Sequence, residues 1–168
     1  MTHWTNSLPL KACDDVRDWA RSYDTPQAAW DACERGDWML WLLGSLAGPP
    51  ESKSRKRLVL CACACAKLSL PYVAEGETRP RIAIETAEAW ARDDGNATLS
   101  DVLHASGAAL FAYAAAGATN DAYAVYAAYT AITVHTTIAY AAAGALTPTQ
   151  CAEIVRQHYP QAPNLDHA

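Results

Sequence analysis

The chain has 168 residues, of which 51% are hydrophobic, and a formal net charge of -5. This length suits one domain with a sizeable buried core. The acidic balance argues against general nucleic-acid binding, which requires a basic surface. The sequence shows no secretory signal, and its six cysteines suit free thiols in a reducing compartment, so we expect a cytoplasmic protein.

The first part of the chain predicts short helices separated by proline and glycine, and no strand. A first helix is expected over 7–22, and Thr25 with Pro26 caps and opens a short second helix that reaches Cys33. A third, over 38–43, is apolar on all sides and should therefore be central. The side chains expected to face inward from the first helix are Leu10, Cys13, Val16, Trp19 and Ala20.

The remainder predicts longer helices, because proline and glycine are spaced farther apart. Glu88 and Arg92 are spaced for an i,i+4 ion pair on the outside of one of them. The expected helices cover 51–70, 79–93, 98–117, 119–144 and 148–159. The inner stripe expected for the helix over 79–93 consists of Ile82, Ala83, Thr86, Ala87 and Trp90.

Residues 102–152 form a nearly chargeless stretch rich in alanine and tyrosine, with Asp121 as its one formal charge. A membrane span needs about 20 predominantly apolar residues, whereas polar residues interrupt this stretch, so we expect no membrane partner. Small residues let helices approach closely while tyrosines fill the gaps. The sequence therefore predicts a compact all-α bundle of about seven or eight helices around two central Ala/Tyr-rich helices, as one domain over 1–160 with a loose tail at 161–168.

Enzyme signatures are missing from the sequence. It contains no nucleophile elbow, no phosphate-binding glycine loop and no H-E-x-x-H zinc motif. His104 and Ser106 lie close together, but no positioned acid follows them. Cys61 and Cys65 share a helix face without the four converging ligands that zinc requires. We therefore expect no enzyme, no cofactor and no metal site.

The chemistry-bearing residues each leave two interpretations open. Arg57 belongs to a basic cluster at a helix start, which is either a solvated face or a site for an anion or phosphate. Glu77, Arg79 and Glu85 belong to a dense charged segment at a helix start, in which Arg81 and Glu85 are spaced for a surface ion pair. Arg79, held beside Pro80, either stays on this charged surface or points into a cleft. Asp121 either caps a helix or faces a polar cavity lined by tyrosines.

His135 lies on an apolar helix face. It is either a core histidine whose ring nitrogens are hydrogen-bonded within the chain, or part of a binding site. The expected ligand- or partner-binding residues are Trp38, Trp41, Arg57, Glu77, Arg79, Glu85, Asp121, Tyr126 and His135.

Several strings of the sequence together resemble a known family. They are WTNSLPL (4–10), CERGDWMLWLLG (33–44), RLVLCACA (57–64), PYV (71–73), ETRP (77–80), AIETAEAWAR (83–92) and CAEIVR (151–156). The chain resembles immunity proteins of bacterial polymorphic toxin systems, similar to the fifth immunity family, which has phage-encoded relatives. The resemblance covers nearly the whole chain and implies an all-α protein that neutralises a threat to the cell carrying it.

Two functions fit this resemblance. The first is stoichiometric binding of a toxin or defence effector protein through acidic side chains and exposed aromatics such as Trp4 or Trp30. The alternative is a phage-type sponge that sequesters a nucleotide-like, phosphate-bearing signal between helices, with Arg57 or Arg79 holding the phosphate. The apolar content permits a homo-oligomer of no fixed order.

Overall fold

The computed structural model describes residues 3–68, 70–72, 75–116 and 148–165. Within these ranges the chain forms α-helices, short 3-10 turns and no strand, so the all-α prediction is confirmed. The α-helices are α1 (Asp14–Ala20), α2 (Pro26–Ala32), α3 (Gly36–Leu46), α4 (Lys53–Lys67), α5 (Arg79–Ala91), α6 (Leu99–Ala116) and α7 (Pro148–His158). The 3-10 turns are Trp4–Ser7 and Leu70–Tyr72.

Side-chain caps explain where several helices begin. The Thr25 hydroxyl accepts a hydrogen bond from the backbone N–H of Ala28 (3.1 Å), and Pro26 follows as the first residue of α2. At α6 the cap is reciprocal: the backbone N–H of Thr98 donates to the Asp101 carboxylate (2.8 Å), and that of Asp101 donates to the Thr98 hydroxyl (3.2 Å). Capping therefore fixes both starts close to the expected positions.

The prediction of one helix over 7–22 is wrong. The segment forms a 3-10 turn, a loop, and then α1 from Asp14. Pro9 lacks an N–H and disfavours helical geometry in the residue before it, which breaks the expected helix. Leu10 and Cys13, both expected to face inward, are instead exposed.

A main core surrounds α4 in the described part of the chain. This helix packs against α3, α5 and α7, and α5 in turn packs against α6. Leu58, Val59 and Ile84 are fully buried there. The inner stripe expected for α5 is wrong at Ile82, which is 48% exposed.

Glu88 departs from the outside position expected for it. Its carboxylate is buried and pairs with both Lys67 of α4 (2.6 Å) and Arg92 (3.4 Å). The expected i,i+4 ion pair with Arg92 is present, and the additional ion pair with Lys67 links α5 to α4. Glu88 therefore belongs to the contact between these two helices.

A second, smaller core joins the two ends of the described chain. It consists of Leu8, Ala12, Ala20 and Leu165, and Trp4 and Trp41 pack against it. The backbone N–H of Ala162 donates to the side-chain carbonyl of Gln27 (2.8 Å). Residues 161–165 therefore pack on α2 and the N-terminal turn, which differs from the loose tail expected from 161 onward.

No helix within the described ranges is long and apolar enough to cross a bilayer. The expected second Ala/Tyr-rich helix, over 119–144, lies outside the described residues. Of the nearly chargeless stretch, the structure describes α6 and the start of α7.

Candidate binding surface

Five of the six tryptophans gather where α1, α2, α3 and the C-terminal residues meet. They line a narrow apolar cleft, in which the Trp19 ring meets the Trp38 ring edge-on at 5.7 Å between centroids. The cavity volume of the cleft is about 50 Å³, whereas small-molecule pockets start at about 300 Å³. The tryptophans of the cleft are Trp4, Trp19, Trp30, Trp38 and Trp41.

An open groove of about 360 Å³ lies beside this cleft. The two share several lining residues, so the apolar cleft adjoins the groove. Residues that line the groove are Trp4, Ser7, Thr25, Pro26, Gln27, Ala162, Pro163, Asn164 and Leu165. None of them carries an ionisable side chain, so the groove is neutral and amphipathic.

Hydrogen bonds hold part of this lining in place. The indole N–H of Trp4 donates to the carbonyl of Tyr23 (2.7 Å), and that of Trp30 donates to the carbonyl of Tyr159 (2.8 Å). The Gln27 amide donates to Asp31 (2.8 Å) and Pro160 (3.3 Å). These bonds fix the positions of Trp4 and Gln27 in the groove and of Trp30 in the cleft.

Leu10 is the most exposed large hydrophobic residue among the described residues, at 99%. The loop that displays it is held by Arg17, whose guanidinium donates to the carbonyls of Pro9 (2.8 Å), Ala12 (3.3 Å), Thr5 (3.3 Å) and Leu8 (3.4 Å). One arginine thus ties down the backbone on both sides of the leucine. The loop presents an apolar side chain to solvent on a fixed support, and we call Leu10 with its two neighbours the Leu10 knob (residues 9–11).

Acidic side chains dominate the surface that follows the knob. The exposed carboxylates of residues 10–34 belong to Asp14, Asp15, Asp18, Asp24, Asp31 and Glu34. The exposed cations of the same segment are Lys11 and Arg21, and Arg21 already pairs with Asp18. Residues 10–34 therefore carry more exposed carboxylates than exposed cations.

Two of the expected site residues, Trp38 and Trp41, line the cleft. The Arg35 guanidinium covers the Trp38 ring at 4.5 Å from its centroid and also binds the Asp37 carboxylate in a bidentate pair (2.8 and 2.5 Å). Trp4 is half-buried, and Trp30 is buried rather than exposed as expected. Its indole hydrogen bond to a carbonyl allows the Trp30 side chain to be buried.

The basic cluster at the start of α4 is bound within the chain. Arg57 donates to the carbonyl of His158 and stacks on the Tyr159 ring (4.3 Å to the centroid), at the end of α7. Arg55 is buried and donates to carbonyls at the end of α3. Arg55 and Arg57 therefore satisfy carbonyls at helix C-termini, where partial negative charge accumulates. Lys56 pairs with the carboxylates of Glu51 and Asp93, so three members of the cluster have partners within the chain.

Glu77 and Arg79 pair with each other. The Arg79 guanidinium and backbone N–H both donate to the Glu77 carboxylate (2.8 and 2.9 Å), and these bonds lower the pKa of Glu77 to about 2. Glu85 is exposed on α5, and the described residues show no ion pair to it. The structure brings Glu77 and Arg79 together but joins neither of them to the tryptophan cleft.

Asp121, Tyr126 and His135, the remaining expected site residues, lie outside the described residues. Among those described, no cluster of three metal-ligating side chains occurs. Cys13 is the exposed cysteine, while the other five are buried, and burial raises the pKa of the Cys63 thiol to about 12. The Cys63 thiol is therefore protonated at neutral pH.

Sequence reasoning missed the Leu10 knob and the groove. Pro9 could have predicted the loop that carries Leu10, because a proline two residues after a 3-10 turn ends any continuing helix. The groove depends on residues 161–165 folding back, for which the local sequence holds no periodic pattern. No family model, curated protein or solved structure matches the chain, so its resemblance to immunity proteins rests on the sequence strings alone.

Proposed function

We propose that this chain is a non-enzymatic binding protein of the immunity type, which neutralises a basic protein toxin or effector by one-to-one docking. The observation that carries the proposal is the Leu10 knob, a fully exposed leucine on a loop that Arg17 holds rigid. Burying such a side chain at an interface contributes about 1.5–3 kcal/mol. A preformed loop also avoids the entropy cost of ordering on binding.

Charge supports a basic partner. The exposed carboxylates that follow the knob, beginning with Asp14 and Asp15, exceed the exposed cations nearby. Lys11 within the knob is an exception to this acidic excess. At specific interfaces a buried apolar anchor supplies affinity, and complementary charges guide association. The partner surface we infer therefore combines an apolar pocket for Leu10 with lysine or arginine around it.

The alternative, a nucleotide sponge, has less support from the described residues. Arg57 and Arg79, the side chains expected to hold the phosphate, are engaged by Tyr159 and Glu77. The groove beside the tryptophans has no cation in its lining. A phosphate-bearing ligand there would lose hydration without gaining a counter-charge.

The test is growth rescue in a bacterial host that expresses the product of the gene next to this one, which the proposal expects to be a toxin. Wild-type protein should restore growth, and Leu10→Asn should abolish rescue, because a polar side chain cannot fill an apolar pocket. Leu103→Asn is the matched control, since Leu103 is another exposed leucine, on α6, and it should rescue normally. Full rescue by Leu10→Asn, or no rescue by the wild type, would contradict the proposal.

A further inference from the structure

The two residues that flank the Leu10 knob are buried, although Leu10 itself is fully exposed. Leu8 is 6% exposed and Ala12 is 8% exposed, and both belong to the smaller core that contains Leu165. We propose that the C-terminal segment (residues 160–165) positions the knob for docking, with Leu165 as the positioning residue. This inference rests on the proposed function for its link to docking, whereas the support of the knob by the segment is tested without a partner.

The knob is the tip of a tight turn. The backbone N–H of Ala12 donates to the carbonyl of Pro9 (2.9 Å), which places Leu10 and Lys11 at the two central positions. The Arg17 guanidinium binds the carbonyls of Pro9 and Ala12 at the two ends of the turn. Hydrogen bonds that water can replace contribute little net stability, so we infer that buried apolar contacts also keep the ends of the turn in place.

Leu165 supplies those apolar contacts from the other end of the described chain. It is 9% exposed and lines the tryptophan cleft together with Leu8. The buried members of the smaller core are Leu8, Ala12, Ala20 and Leu165. Because an alanine side chain buries little apolar area, the two leucines provide most of the apolar surface that these four residues bury. Loss of Leu165 therefore leaves Leu8 and Ala12 with much weaker support.

Hydrogen bonds attach the C-terminal segment to α2. The backbone N–H of Ala162 donates to the side-chain carbonyl of Gln27 (2.8 Å), and the Gln27 amide donates to the carbonyl of Pro160 (3.3 Å). None of these bonds involves residues 8–12. A substitution at Gln27 that loosens the segment is therefore expected to reach the knob through Leu165.

Hydrogen exchange of the Ala12 amide, measured by nuclear magnetic resonance on the full chain, reports opening of the turn without any partner. The wild-type amide should be protected, and Leu165→Ala should make it exchange at least about tenfold faster. Leu43→Ala is the matched control, because it removes the same side chain at 6% exposure from the main core. Its Ala12 amide should exchange within about twofold of the wild-type rate.

A second variant covers the case in which a leucine substitution disturbs folding. Gln27→Ala leaves the side chains of both cores in place, and should also speed exchange at Ala12, by about threefold or more. All variants should keep the wild-type far-UV circular dichroism spectrum. An unprotected Ala12 amide in the wild type, or wild-type exchange in both Leu165→Ala and Gln27→Ala, would overturn the proposal.

Isothermal titration calorimetry with the product of the neighbouring gene tests the link to docking. Leu165→Ala should bind about threefold or more weakly, because the knob must be ordered on binding, whereas Leu43→Ala should bind like the wild type. Faster exchange at Ala12 combined with wild-type affinity would overturn the positioning role. Absence of binding by the wild type would refute the proposed function, and the exchange rates would still decide whether the C-terminal segment holds the knob.

Discussion

Arginine side chains in this protein repeatedly bind backbone carbonyls. Arg17 ties the loop beneath Leu10, Arg156 donates to the carbonyl of Cys33 (2.6 Å) at the end of α2, and Arg57 binds the end of α7. Arg55 is the extreme case at 1% exposure, with donations to the carbonyls of Ala47 (2.9 Å), Gly48 (3.1 Å) and Gly44 (3.3 Å). Carbonyls left free at helix ends need partners, and these guanidiniums supply them.

Replacing Arg55 should therefore cost far more than replacing its neighbour. We expect Arg55→Met to lower the free energy of unfolding by about 2–4 kcal/mol, because buried carbonyls lose a charged donor. Arg57→Met removes the same charge from the same helix turn, and should cost about 1 kcal/mol or less, since Arg57 is exposed. Urea unfolding followed by circular dichroism measures both values. Equal losses would contradict this role for Arg55.

Glu77 provides a prediction about pH. The Arg79 side chain, with a smaller contribution from its backbone N–H, lowers the Glu77 pKa from 4.5 to about 2. The pair therefore favours the folded state above pH 4.5, and this contribution is lost as the pH falls through about 2. Because both side chains are partly exposed, the contribution to stability is small.

Nuclear magnetic resonance titration of the Glu77 side-chain carboxyl tests this directly. In the wild type its pKa should be near 2, and in Arg79→Gln it should rise toward 4.5 without reaching it, because the backbone N–H still donates. The variant therefore separates the effect of the Arg79 side chain on the Glu77 pKa from the effect of the Arg79 backbone N–H. A wild-type pKa near 4.5 would show that the pair does not form in solution.

At the scale of the elements, α3 and α7 approach so closely at Gly36 that no side chain fits at this position. A Cβ atom built on Gly36 would lie 2.4 Å from the Cβ of Cys151 and 2.6 Å from the backbone nitrogen of Ala152. Both neighbours are fully buried in the main core. Gly36 therefore begins α3 because no larger residue fits against α7, rather than because a turn requires it.

This contact predicts opposite effects for the same substitution at two glycines. Gly36→Ala should lower the free energy of unfolding by about 2–3 kcal/mol, because the two helices must separate. Gly107→Ala should raise it by about 0.5–1 kcal/mol, since alanine favours helix and no atom of the described residues lies within 4 Å of the added carbon. Thermal or urea unfolding of the two variants compares them. A tolerated alanine at Gly36 would contradict the close approach.

The local sequence predicted where helices begin better than it predicted which face of each helix is buried. Thr25, Thr98 and Pro148 mark helix starts through chemistry confined to one turn, so α2, α6 and α7 begin near their expected positions. The third helix was expected from residue 38, whereas α3 begins at Gly36, because the role of this glycine depends on a helix more than a hundred residues away. Ile82 is exposed for the same reason, since helical periodicity does not show which stripe a partner covers.

The site was less predictable than the fold. Trp38 and Trp41 were expected in the site and line the cleft, since clustered tryptophans in a short helix are a local signal. Arg57 and Arg79 were expected at a ligand, whereas they bind the end of α7 and Glu77. A charged residue near a helix start looks the same in sequence whether its partner is a ligand or the chain itself. The roles expected for Asp121, Tyr126 and His135 stay predictions.

At the scale of the whole molecule, the described residues divide into a main core around α4 and a smaller one that joins the N-terminal turn to residues 161–165. The Leu10 knob and the groove both belong to the smaller core. Leu10 lies three residues from Ser7, so the knob is within about 11 Å of the rim of the groove. The part of the molecule that we assign to recognition therefore adjoins the smaller core, which contacts the main core through Trp19 and Leu42.

The most direct test of this account is isothermal titration calorimetry with the purified product of the neighbouring gene, which the proposal expects to be a toxin. We predict one-to-one binding for the wild type, an affinity at least about tenfold lower for Leu10→Asn, and weaker binding as the salt concentration rises. Wild-type affinity in Leu10→Asn, or no binding of the toxin by the folded wild-type protein, would contradict it.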